Sequence, residues 1–318
     1  MLLFWRTTLV GALCGLFAGC AASPALVVVL HGKSEPTLET CLQALERELE
    51  RELAVLGGPP GEANEPRVVV QRIVIAASDP ELAERLREVD AQAPAAVVAC
   101  GTPLVAAAHR ALRAPLVAAY CYDPRVAGVG RVERELDGAA GATGVGSPPP
   151  LAAVAELLRE LAPPRTRVGV VLDESEAGPM AQVGRLRSLL EQGPHPLEVV
   201  HANLERDLPV PEALERAIED LVERQGVVVA WKVGDATLVR HVPAYAALWR
   251  ARGLPWVGDH PTQLTLGASA VAWIDFEAAG RAAGRLVAQV VAGRAPRELP
   301  IVELSAGKVA RAARASSR

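Results

Sequence analysis

Short, continuously apolar runs alternate with helical patterns along nearly the whole chain, and this rhythm restricts the fold more than any other feature of the sequence. Residues 25–30, 68–75, 95–99, 116–120, 167–172, 198–202, 227–231, 255–258, 269–274 and 300–304 read as strands. They are rich in valine and isoleucine and lack polar alternation, as expected where helices cover both faces of a parallel sheet. Helices fall between them. Leu38, Leu42, Leu45, Leu49 and Leu53 form one stripe over 37–56, with Cys41 packed among them. Asp79-Pro80-Glu81 opens another helix, and 149–161 and 211–224 form two more, the last stopping before Gly226. The expected class is α/β with parallel sheets.

A chain of 318 residues, half of them hydrophobic, exceeds what a single core usually covers, so two lobes are expected. The glycine- and proline-rich stretch 137–150 reads as the linker or crossover between two halves, and the second half starts afresh at Arg167. A net charge of −4 without a basic run points away from nucleic acid. Gly280 and Gly284 lie four apart on a helix, a pattern that suits close helix packing better than phosphate binding.

The first residues have a separate purpose. Arg6 is the only charge among the first twenty, and 7–17 is an apolar core too short to span a bilayer, as in a signal peptide. The segment closes on Phe17-Ala18-Gly19-Cys20, which resembles a lipobox, so Cys20 is expected to become the lipidated first residue. Cys14 lies inside the leader, leaving Cys41, Cys100 and Cys121 of the five cysteines. Cys100 and Cys121 end neighbouring strands and are expected within disulfide reach, which an oxidising envelope would permit. No spacing of cysteine or histidine supports a metal site, and no cofactor motif follows the first strand.

The most informative junction is Val97-Val98-Ala99-Cys100-Gly101 followed by Thr102-Pro103 and a helical run. Threonine is a good N-cap and proline is preset for a first turn, so a helix is expected to begin at the strand's carboxyl end with Thr102 as its cap. Its N–H groups would then offer a seat for a carboxylate or phosphate. The next strand ends in Cys121-Tyr122-Asp123-Pro124, making a second polar strand end beside the first. Aromatic residues cluster at such ends: Tyr120, Tyr122, Trp231, Trp256, Trp273 and Phe276, while Tyr245 and Trp249 sit on a helix. Rings of this kind line a cleft or pack against helices, and the sequence leaves both readings open.

The runs G-T-P-L-V-A-A-A (101–108), A-P-L-V-A-A-Y-C-Y-D-P (114–124), A-T-G-V (142–145) and P-P-R-T-R-V-G-V-V-L-D (163–173) appear in that order. G-L-P-W-V (253–257), L-G-A-S-A-V (266–271) and the closing stretch 275–300 follow them. This series resembles the ABC-transporter substrate-binding family that includes tryptophan- and tyrosine-binding lipoproteins. The resemblance implies a type I periplasmic-binding-protein fold, in which two Rossmann-like lobes joined by three crossovers hold a ligand between the carboxyl ends of their strands. On this reading residues 1–19 are the signal peptide, 20–145 plus 273–296 the first lobe and 146–272 plus 297–318 the second.

Carried onto this chain, the resemblance has Thr102 and the N–H groups after it holding a ligand carboxylate. Tyr122 and Asp123 line the same lobe, and Asp235 and Thr237 face them from the other. Ser34, Pro103, Tyr120, Asp173, Trp231, Asp259 and Asp275 complete the set of candidate ligand contacts. Two departures stand out: the family's D-N-T is Asp235-Ala236-Thr237 here, and His31-Gly32-Lys33-Ser34 after the first strand has no counterpart. The implied function is a solute-binding lipoprotein of an ABC importer. It would be a monomer without cofactor, lipid-anchored on the periplasmic side of the envelope and partnered by a permease in the inner membrane. An envelope ligand sensor of the same fold is one alternative. An α/β envelope enzyme using Asp123 or Asp173 is another, although no nucleophile has an evident base.

Overall fold

The computed structural model describes residues 24–33, 36–56, 68–130, 140–192, 195–205, 207–304 and 307–313. The first part of the chain runs β1 (Ala25–His31), α1 (Pro36–Leu56), β2 (Val68–Val74), α2 (Leu82–Ala91), β3 (Ala96–Cys100), α3 (Thr102–Ala111), β4 (Leu116–Cys121) and β5 (Ala142–Gly146). Next come α4 (Leu151–Leu161), β6 (Arg167–Leu172), α5 (Ala177–Glu191), β7 (Glu198–Asn203) and α6 (Val210–Glu219), which continues as a π-turn over Asp220–Arg224. The remainder is β8 (Val227–Trp231), α7 (Ala236–Arg240), α8 (Val242–Ala251), β9 (Trp256–Gly258), β10 (Ala270–Ile274), α9 (Phe276–Val291), β11 (Val302–Glu303) and β12 (Gly307–Arg311).

These strands form two six-stranded sheets, ordered β11-β5-β4-β3-β1-β2 and β12-β10-β9-β8-β6-β7. Every described pairing is parallel except β10 with β12. Strands β1, β3 and β4 are buried almost throughout because helices cover both faces. Val27, Val29 and Val98 pack toward α1 and α9, whereas Val28, Leu30 and Val97 pack toward α2 and α3. The second sheet has its own core, built around Val168, Val170, Leu186, Ile218, Trp231, Tyr245 and Trp249.

The chain passes between the sheets three times: after β5, between β10 and α9, and between β11 and β12. Two expectations change here. Residues 142–146 are a strand of the first sheet and not linker, so the first crossover is confined to the stretch between Gly146 and Leu151. Val302 and Glu303 pair in parallel with Val145 and Gly146, and Leu299 packs in the first sheet's core, so this part of 297–318 joins the first lobe. Among the described residues of that tail, only β12 joins the second sheet, while Trp273 and Ile274 stay in it through β10.

The expected proximity of Cys100 and Cys121 gives no bond. Both thiols are free and buried, and Cys100 lies level with Ala119, not with Cys121. A bulge shifts the β4–β5 register between Ala118 and Cys121. Cys100 packs with the α1/α9 side of the sheet and Cys121 with the α2/α3 side, so their Cβ vectors diverge. Burial pushes the Cys41 and Cys121 thiols up to about 12, leaving both protonated and unreactive.

Candidate functional site

A cavity of about 530 Å³ lies between the two lobes, at the carboxyl ends of their strands. The β3–α3 junction and the end of β4 form its wall in the first lobe. The turn before α5, the loop after β8 and the end of β9 form the wall in the second, and Ser147, Pro149, Trp273, Ile274 and Phe276 close the hinge side. Its volume suits a small molecule, and most of its lining is apolar.

The first-lobe wall departs from expectation at the helix start. Gly101, at φ 93° and ψ 135°, is the N-cap of α3, and Thr102 is already the first helical residue. That backbone conformation is open to glycine and strained for any other residue. Thr102 therefore does not cap the helix. Its hydroxyl accepts a 3.3 Å bond from the Tyr122 N–H and lies 3.4 Å from Cys121 Sγ, tying the start of α3 to the end of β4. With no side-chain cap on α3, the N–H groups of its first turn remain available at the cavity.

The bulge in β4 shapes the rest of this wall. Tyr120 sits at φ 47°, in the left-handed region, and breaks the strand's alternation, so that Tyr120, Cys121 and Tyr122 all reach the cavity lining. Tyr120 is held from behind by a 2.8 Å hydroxyl contact with Thr37, and its ring centroid is 5.5 Å from that of Phe276. Burial raises the Tyr122 phenol, opposed by the Arg185 guanidinium of α5 across the cleft.

In the second lobe, Asp235 is fully buried and engaged by its own backbone. Oδ1 accepts from Thr237 and Leu238 N–H at 2.8 and 2.9 Å, and Oδ2 accepts from Asp173 N–H at 2.9 Å. It caps α7 and pins the end of β6 to the end of β8. Asp259 reaches the cavity at the end of β9, where Oδ2 is 2.7 Å from the buried Lys232 Nζ and Oδ1 accepts a 2.7 Å bond from Gln263. The start of α5, including Gly178 and Pro179, contributes a second helix N-terminus without a side-chain cap.

Of the sequence candidates, the cavity gathers Thr102, Pro103, Tyr120, Tyr122, Asp235 and Asp259. The other described candidates, Asp123, Asp173, Trp231, Thr237 and Asp275, do not line it. Trp231 is 0% exposed and belongs to the second lobe's core, with Tyr245, Trp249 and Trp256. Asp123 and Asp173 each bind a main-chain N–H two residues ahead and hold their turns. Thr237 contributes its N–H to Asp235, and Asp275 caps α9 while pairing with Lys308 at 3.0 Å. Ser34 and Cys20 lie outside the described residues. Sequence reasoning missed the α5 wall, above all Gln182, for which no motif signals a ligand contact.

Two lobes enclosing an apolar cavity at their strand ends, with three crossovers as hinge, define a ligand-binding protein of the periplasmic-binding-protein class. Residues 70–311 match the family model for ABC transporter substrate binding protein, and the chain belongs to that family of solute-binding proteins, which are not enzymes. A tyrosine-binding protein of Clostridioides difficile (strain R20291) is 24% identical over 209 residues, 65% of this chain, and the match spans 58% of that relative's length.

Among solved structures, an ABC domain in complex with L-Trp from Streptococcus pneumonia superposes with a TM-score of 0.69 at 21% identity, covering 89% of this chain and 91% of that one. The ligand-free, open structure of a substrate-binding protein with adhesive properties from Clostridium difficile gives 0.63 at 18% identity, covering 90% and 91%. These likenesses give the expected two-lobed, type I fold. Among the described residues, no helix is long and apolar enough to cross a membrane, and no cluster of histidine, cysteine and carboxylates suits a metal ion.

Proposed function

We propose that the protein is the solute-binding lipoprotein of an ABC importer, and that its ligand is a small amphipathic molecule with a planar body and a carboxylate. The observation that carries this reading is the composition of the interlobe cavity: Tyr120, Tyr122, Trp273 and Phe276 supply flat apolar area, and two uncapped helix N-termini, α3 and α5, open onto it from opposite lobes. The rings hold the body of the ligand by area and stacking, and the first-turn N–H groups receive its anionic end. A ligand touching both helix starts bridges the lobes and favours the closed arrangement, which is the signal a permease reads.

The tyrosine-binding relative and the L-Trp-bound neighbour support an aromatic amino acid as the ligand class. The apolar segment ending at Cys20 supports lipid attachment there, with the lobes held close to the periplasmic face of a membrane as a monomer. A thermal-shift screen against amino acids, nucleosides and small carboxylates tests the ligand class, since binding to the folded state alone raises the unfolding midpoint. Stabilisation by aromatic amino acids is the expected result, and stabilisation by nucleosides alone would overturn it. Mass spectrometry of the mature protein tests the anchor: a diacylated or triacylated Cys20 is expected, and an unmodified one contradicts it.

A further inference from the structure

Helices α1 and α9 run parallel, since a Cβ on Gly280 would meet the Cys41 carbonyl and one on Gly284, a turn later, that of Leu45. Their last turns, 53–56 and 288–291, therefore emerge side by side, and neither carries a charge. Val55 is 70% exposed and Leu56 55%, with Ala54 and Ala292 exposed beside them. Apolar residues scattered singly on a surface need no partner, but these share one paired helix end. Leu53 packs in the same core as Val27 and Val68, and Val68 pairs with Ala25. The helix ends thus lie at the amino ends of β1 and β2.

The place of Cys20 in the sequence says what covers this end. Ala25, the first residue of β1, follows Cys20 by five residues, which reach at most about 18 Å when fully extended. Acyl chains on Cys20 would hold the start of β1 within that distance of a bilayer. We propose that the amino-end face of the first lobe rests on the membrane, with Val55 and Leu56 of α1 and Val291 and Ala292 after them entering the headgroup region, an inference that rests on lipid attachment at Cys20. Arg113, just before β4, and Arg294 and Arg297, after α9, are exposed on this face, with Glu298 beside them. Arginines at an interface lay their apolar stems along it and direct their guanidinium groups to lipid phosphates. The acyl chains supply attachment, and the seat supplies orientation. The cavity lies at the opposite, carboxyl ends of the same strands, so the seat holds it about 20 Å from the membrane, the length of the seven-residue β1.

The test uses the mature lipoprotein in vesicles of phosphatidylcholine and phosphatidylglycerol, with one environment-sensitive maleimide dye attached at Leu56→Cys, Ala292→Cys or Leu189→Cys. Cys41, Cys100 and Cys121 are buried and stay unlabelled. Leu189 is 39% exposed near the end of α5 in the second lobe and serves as the reference. The dyes at Leu56 and Ala292 should shift their emission to the blue and be quenched by spin-labelled lipid, and the dye at Leu189 should do neither. Adding Val55→Glu and Leu56→Glu to Ala292→Cys should abolish the quenching there. Both side chains are exposed, so circular dichroism and the unfolding midpoint should stay native.

Dyes at Leu56 and Ala292 that are quenched no more than the one at Leu189 overturn the seat; if mass spectrometry of the same sample finds Cys20 acylated, the anchor reading stands. A blue shift without quenching by lipid gives the face to a protein partner, a second copy included, and overturns it as well. Quenching at Ala292 that survives the two glutamates denies the apolar helix ends their role. An unmodified Cys20 removes anchor and seat together.

Discussion

Trp231 and Trp273 both end strands, yet Trp231 fills the second lobe's core while Trp273 is half-buried at the cavity. Trp231→Ala is therefore a stability mutation. Loss of a fully buried indole should cost about 3–5 kcal/mol, visible as a lower urea midpoint, and a cost under about 1 kcal/mol would contradict its place in the core. The same contrast explains what could be read from the residues alone. Strands buried on both faces carry no polar alternation, so the sequence marks their ends but not which way each side chain points. Thr102 and Tyr122 were legible because they stand at the very junctions where the chain leaves a strand. Trp231, Asp123 and Asp275 share those positions and turn to core packing, a turn and a helix cap. Gln182 was illegible because it joins the cavity wall only where α5 meets Gly234, 52 residues further along the chain.

The seam between α1 and α9 shows packing that the sequence did reveal. Gly280 and Gly284 let the helices approach so closely that an added Cβ would stand 2.1 Å from the Cys41 carbonyl and 2.5 Å from that of Leu45. Gly280→Ala must push the helices apart, and a loss of about 1–3 kcal/mol in thermal or urea unfolding is expected. An unchanged midpoint would contradict the contact. Glu48 lies on the same seam, bonded to Arg51 at 2.8 Å and Arg285 at 2.7 Å. The Arg51 bond, reinforced by Arg285 against the effect of burial, lowers its carboxyl from 4.5 to about 2.

A carboxylate depressed on folding stabilises the native state above its unfolded value and loses that contribution as pH falls. The stability difference between wild type and Glu48→Gln should accordingly be full above about pH 5 and shrink toward pH 2. A difference that does not vary with pH would contradict the pairing. Strands were less legible than this helix pair where they were made of small residues. β5 reads as linker because Ala142-Thr143-Gly144-Val145-Gly146 lacks β-branched runs, yet a Cβ at Gly144 would stand 2.5 Å from that of Ala118, so glycine is what lets the strands pair.

At the scale of the molecule, the alternation of strand and helix announced two α/β lobes, and the order of its motifs announced the family. The tail was harder, because β11 has only two residues and β12 is exposed along most of its length, so neither has the apolar signature of a core strand. Their pairing in opposite lobes makes the third crossover. The first two crossovers contribute Ser147, Pro149, Trp273, Ile274 and Phe276 to one wall of the cavity.

The most direct test is a calorimetric titration of the best ligand from the thermal-shift screen into wild type and Gly178→Phe. Gly178 lines the cavity, and a Cβ there has no neighbour within 4 Å, so the added ring enters the ligand space without disturbing the fold. The wild type should show saturable binding at one site, and the variant should lose it while keeping its circular dichroism and unfolding midpoint. A natively folded variant that binds with unchanged affinity would place the ligand outside the interlobe cavity.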